Sequence, residues 1–86
     1  MKVKVLGSGS KGNVTIVLCD YTNIIIDMGL SYITVKRMLE DNSLSLEDFS
    51  GILITHSHND HIKGLSSIIK HTKLNVYIPE KMYEEL

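Results

Sequence analysis

Gly51-Ile52-Leu53-Ile54-Thr55-His56-Ser57-His58-Asn59-Asp60-His61 is the stretch around which the chain is organised. An apolar run, Ile52-Leu53-Ile54, leads into it, and a helical pattern from Ile62 leaves it. The order is strand, polar loop, helix. Three of the 4 histidines and one aspartate fall between His56 and His61. In extended backbone, residues two apart point to the same side. His56 and His58 therefore aim at one point, Asp60 keeps their phase, and His61 projects where the chain turns into the helix. Imidazoles with a carboxylate suit zinc, with iron or manganese as second choices. A lone histidine is ordinarily a surface or core residue. Three with a carboxylate at the end of an apolar strand serve no packing purpose, whereas metal ligation accounts for them.

The 86 residues make one domain at most. Hydrophobic content of 43% and charge of 22% are ordinary for a globular chain. The net charge of −1 gives no broad basic field for nucleic acid. It does not exclude a nuclease, because a metal centre holds a phosphate with little help from lysines. Cys19 is the single cysteine, so no internal disulfide forms. Apolar neighbours predict that it packs in the core. One buried thiol, with Lys4 interrupting the first apolar run, suits a reducing, cytoplasmic location without a leader. No apolar stretch approaches the roughly 20 residues of a membrane span.

Outward from the ligand loop, the chain alternates short apolar runs with turns. Val3–Leu6, Val14–Cys19, Ile24–Ile26, Gly51–Thr55 and Asn75–Ile78 read as strands. The second and third are apolar on both faces and call for cover on both. Gly7-Ser8-Gly9-Ser10-Lys11-Gly12-Asn13 reads from composition as a tight turn, although its N–H groups also suit an anion. Asp27 ends a buried strand, where a carboxylate is costly unless paired. It either caps the next loop or orients a metal-bound histidine. Ser31 N-caps a helix to Glu40 with Val35, Met38 and Leu39 on one face. A second helix starts at Asn59 or Asp60, with Ile62, Leu65, Ile68 and Ile69 as its stripe. Gly64 within it points to close packing of helix on sheet. His71 ends that helix and favours its dipole over metal ligation. Pro79 opens a last helix. The class is α/β (α+β), in the order β-β-β-α-β-α-β-α.

His-x-His-x-Asp-His after an apolar strand resembles the signature of the metallo-β-lactamase-fold hydrolases. The likeness continues through Gly7–Asn13, Ile24-Ile25-Ile26-Asp27-Met28-Gly29 and Asp60-His61-Ile62-Lys63-Gly64-Leu65. It is closest to the YycJ-like, exonuclease-related branch and covers nearly the whole chain. The resemblance implies the N-terminal half of an αββα sandwich, two sheets face to face with helices outside. It implies a dinuclear zinc site, with His56 and His58 on one metal and Asp60 and His61 on the other. Asp60 would also orient the attacking water and handle its proton. Asp27 would orient a metal-bound histidine, and Ser8, Ser10 and Asn13 would line the substrate rim. Further ligands of that family lie in later segments, so the chain reads as the first portion of a longer protein. Its last residues, Lys81–Leu86, stop within a helical pattern. The piece alone is then expected to turn over little, to expose apolar sheet surface and to self-associate.

The activity implied is metal-assisted hydrolysis, first of nucleic-acid phosphodiesters. Lactones, thioesters and β-lactams come second. Lys11 and Lys63 are candidates to meet a phosphate, against simple solvation. A catalytically incompetent fragment that binds only metal or a partner is the non-enzymatic alternative. His-x-His also begins amidohydrolase barrels, but three preceding strands and the added Asp60-His61 disfavour that fold.

Overall fold

A computed structural model describes residues 1–83. Its centre is a five-stranded sheet in the order β1-β2-β3-β4-β5, formed by Lys2–Gly7, Val14–Leu18, Asn23–Ile26, Gly51–Leu53 and Asn75–Tyr77. The first three strands are antiparallel, joined by tight connections, and β3-β4-β5 are parallel. Parallel neighbours need crossovers, and helices supply them. Tyr32–Asp41 (α1) and a 3-10 turn at Leu46–Asp48 connect β3 to β4. Asn59–Ile62 (α2) and Leu65–His71 (α3) connect β4 to β5, and Glu80–Tyr83 (α4) follows. The antiparallel opening is incompatible with an amidohydrolase-type parallel barrel.

Register explains where the core sits. Lys4, Ile16, Ile25, Ile52 and Val76 face one another across the sheet. Ile16, Ile25 and Ile52 on this row are fully buried, with Val35 and Leu39 of α1 and Ile68 of α3 against them. Lys4 escapes at the edge, where its amino group meets Asn42 at the end of α1. Ser31 caps α1 as expected, accepting from the Thr34 N–H at 3.2 Å.

The opposite face has no helical cover among the described residues. Val5, Thr15, Ile26, Leu53 and Tyr77 form one row, with Val3, Val17 and Ile24 beside it. Val3, Val5, Leu53 and Tyr77 are 60%, 59%, 40% and 57% exposed. The expectation of strands apolar on both faces holds for their composition, but only one face is buried.

Three local expectations change. Cys19 is exposed rather than in the core: β2 ends at Leu18, and Cys19 enters a turn where its N–H donates to the Thr22 carbonyl at 3.1 Å. The second crossover helix is split at Lys63-Gly64, and Ile69 is 53% exposed, so the seven-residue α3 seats Leu65 and Ile68 instead. Gly64 packs closely, but against the loop after β3 rather than the sheet. Its N–H donates to the Met28 carbonyl at 2.8 Å, and a Cβ there would lie 2.2 Å from the Leu30 carbonyl oxygen. His71 caps its own helix, its Nδ1 2.8 Å from the Ser67 carbonyl, and stacks on Tyr32 with ring centroids 5.0 Å apart. Pro79 immediately precedes α4, as expected of a residue that opens it. The expected helical continuation through Glu84–Leu86 lies outside the described residues. No helix among the described residues is long and apolar enough to cross a membrane.

Candidate metal centre

The site forms where β3 and β4 end side by side. Leu53 is the last ladder residue of β4, and its carbonyl accepts from the Asp27 N–H at 2.8 Å. Ile54 still donates to the Tyr77 carbonyl of β5, at 2.9 Å. The next N–H, of Thr55, turns the other way and donates to Asp27 Oδ1 at 2.8 Å. A side chain therefore replaces the next rung, and the strand opens into the ligand loop. Asp27 takes a left-handed backbone with φ 65°, which aspartate tolerates better than most residues.

Asp27 is the one buried charged residue, at 5% exposure, among the described residues. Its Oδ2 accepts from the Thr55 hydroxyl at 2.7 Å and lies 2.8 Å from His61 Nδ1. His61 Nδ1 thus carries the proton and leaves Nε2 as a lone pair. Thr55 Oγ1 is also 2.8 Å from His56 Nδ1. The rings of His56 and His61 lie 4.5 Å apart by centroid, and those of His56 and His58 6.5 Å.

Asp27, His56 and His61 offer donor atoms within 4.8 Å of one another. His58 and Asp60 fall outside that trio. Both Asp27 oxygens are already occupied by donors, however, which suits a carboxylate that orients imidazoles rather than one that binds a cation. Asp60 Oδ2 stands 3.7 Å from His61 Nε2. The Asn13 amide nitrogen faces both atoms, 3.2 Å from the carboxylate oxygen and 3.5 Å from Nε2. Adjacent ligands of one zinc, each about 2.1 Å from it, stand roughly 3.4 Å apart at the tetrahedral angle. The donor chemistry and span of Asp60 and His61 thus fit two ligands of one metal, with the His56 ring beside them. His58 is exposed at the start of α2, beside His56.

Asn13 ties the glycine-rich loop to this centre. Its N–H donates to the Asp60 carbonyl at 2.7 Å, and its Nδ2 reaches Asp60 Oδ2 at 3.2 Å. Gly29 permits the approach: a Cβ there would lie 1.8 Å from the Asp60 carbonyl oxygen. Ser10, Lys11, Gly29, Asn59, Asp60 and Lys63 line a depression of about 730 Å³. Ser10 and Asn13 are therefore both near the centre, whereas Ser8 is exposed and does not line the depression. The residue that sequence reasoning missed is Thr55. The available signal was a hydroxyl directly before His56, at the end of a strand adjacent to the one carrying Asp27.

This sheet and its crossovers are the N-terminal part of the metallo-β-lactamase fold. Among solved structures, the metallo-β-lactamase GOB-18 from Elizabethkingia meningoseptica superposes with a TM-score of 0.77 at 21% identity, over 86% of this chain and 28% of that one. That likeness shows the fold, of which this chain supplies the N-terminal part. The family model described as anti-Pycsar protein Apyc1 matches residues 1–86, and the chain belongs to that family. It is similar to exodeoxyribonuclease YycJ of Bacillus anthracis, 40% identical over 95% of this chain and 31% of the relative. It is also similar to exodeoxyribonuclease WalJ of Streptococcus pneumoniae serotype 2, 32% identical over 99% of this chain and 32% of the relative. The chain thus spans about a third of the length of these relatives.

Proposed function

We propose that the chain carries one half of a dinuclear metal site in a hydrolase of nucleic-acid phosphodiesters. The observation that carries this reading is the convergence of His61 Nε2 and Asp60 Oδ2, 3.7 Å apart, beside the ring of His56. His56 and His58 would hold one ion, and Asp60 and His61 the other. Zinc is the first choice for this ligand set, and manganese or iron the second. Bound metal supplies Lewis acidity and an activated water near neutral pH. Asp60, held by Asn13, would orient that water and handle its proton. Asp27 fixes the His61 ring. Lys11 and Lys63, on the depression flanking Asp60, suit a phosphate, with Ser10 on the rim and Asn13 bonded to Asp60. The exodeoxyribonuclease names of two relatives support DNA as the polymer.

The test is hydrolysis by the intact protein containing this segment, assayed with manganese or zinc on end-labelled DNA, a lactone, a thioester and a β-lactam. DNA is expected to be degraded at least about tenfold faster than the others are turned over. Preference for a lactone, thioester or β-lactam would replace the substrate assignment. The family's anti-Pycsar name supports a second reading. An anti-Pycsar effect in cells carrying Pycsar, without DNA hydrolysis by purified protein, would favour it.

The remaining ligands would come from outside these residues, so the 86-residue piece is expected to be catalytically silent. Its open face, with Val3, Val5, Leu53 and Tyr77, drives self-association. Sedimentation of the purified piece should reveal species heavier than a monomer, increasing with concentration. A clean monomer with a cooperative melt at high temperature would show that the face needs no cover.

A further inference from the structure

We propose that Thr55 is a positioning residue that fixes the proton of the His56 ring, so that one buried carboxylate oxygen sets both neighbouring imidazoles. The Thr55 hydroxyl has a single proton. It donates that proton to Asp27 Oδ2 at 2.7 Å. The same oxygen faces His56 Nδ1 at 2.8 Å and has only lone pairs left to offer it. His56 Nδ1 must therefore be the protonated nitrogen, which frees Nε2 as the ligating atom. Asp27 Oδ2 imposes the same choice on His61 directly, at 2.8 Å. One oxygen thus sets two rings whose centroids are 4.5 Å apart, one at first hand and one through a hydroxyl.

Packing does not explain the threonine, because Thr55 is exposed. Its backbone N–H already bonds Asp27 Oδ1 at 2.8 Å, so the strand end is held without the hydroxyl. What the hydroxyl adds is direction for His56. The proposal rests on the metal reading only in taking Nε2 as the atom that meets the cation. The tautomer itself does not depend on a metal.

The test uses the intact protein containing this segment, metal-free and labelled with nitrogen-15, at a pH where its imidazoles are neutral. Two-bond proton–nitrogen correlations report which ring nitrogen carries hydrogen. His56 is expected in the Nδ1–H form in the unaltered chain and in Thr55→Ser. In Thr55→Val, which keeps shape and backbone N–H, His56 should shift toward the Nε2–H form that free histidine favours, with His61 unchanged. Zinc affinity should fall roughly tenfold in Thr55→Val and recover in Thr55→Ser, the scale of losing a residue that orients a ligand. An Nε2–H ring in the unaltered chain would overturn the proposal without any variant. So would an undisturbed Nδ1–H ring in Thr55→Val. Tautomers as expected in a chain indifferent to zinc would uphold Thr55's role and refute the metal reading.

Discussion

Asp27→Asn is expected to lower zinc affinity by more than about tenfold, and toward a hundredfold, while leaving a folded chain. The change swaps one oxygen for an amide and keeps a side chain that tolerates the left-handed backbone at φ 65°. The new carbonyl still accepts from the Thr55 N–H. The amide nitrogen then sits where Oδ2 now takes the Thr55 hydroxyl and the His61 Nδ1 proton. Two donors there would face a third. Thr55 must turn its proton toward His56, and His61 must move its own proton to Nε2. Both rings would then present N–H toward the cation instead of a lone pair. Stability should drop by about 1–3 kcal/mol, the cost of mismatched polar groups near the interior. Zinc titration and a thermal melt of the same samples separate the two effects. Unchanged zinc affinity in a folded Asp27→Asn chain would remove Asp27 from the account.

Replacing His56 and His58 together by alanine is expected to act in the opposite proportion. Both side chains are exposed, so stability without metal should change by no more than about 0.5 kcal/mol. Metal binding should fall by more than about a hundredfold, because two of the four proposed ligands are gone while their supports remain. A ligand that binds only the folded state raises the melting temperature. Zinc should therefore raise it clearly for the unaltered chain and far less for the double variant, which keeps only Asp60 and His61. An equal rise in both would place the binding elsewhere.

The contrast between these variants follows from which parts of the site local sequence could reveal. His56, His58, Asp60 and His61 lie in one strand–loop–helix passage, so their spacing marks them as candidates, although Asp60 sits in α2 and out of the strand's alternation. The strands were legible from β-branched runs, and the crossovers from the helical period between them. What depended on distant neighbours was harder. Thr55 matters only because β3 and β4 are parallel and in register, which brings its hydroxyl to Asp27. Gly29 matters because the loop after β3 crosses the backbone of Asp60, a contact between residues far apart in the chain. Cys19 was misjudged because the turn takes its N–H one residue earlier than the apolar run suggests. Ile69 was misjudged because a short helix seats a narrower stripe than the period permits. The uncovered sheet face was legible as composition, since apolar residues on both sides of β2 and β3 promised a second layer.

Zinc content after equilibrium dialysis, measured on the unaltered chain and on His56→Ala/His58→Ala side by side, tests the central claim most directly. The strand–loop–helix turn is predicted to retain zinc in the first, weakly but measurably, and markedly less in the second, where only the Asp60–His61 pair remains. Equal content in the two would contradict the assignment of these imidazoles to a metal.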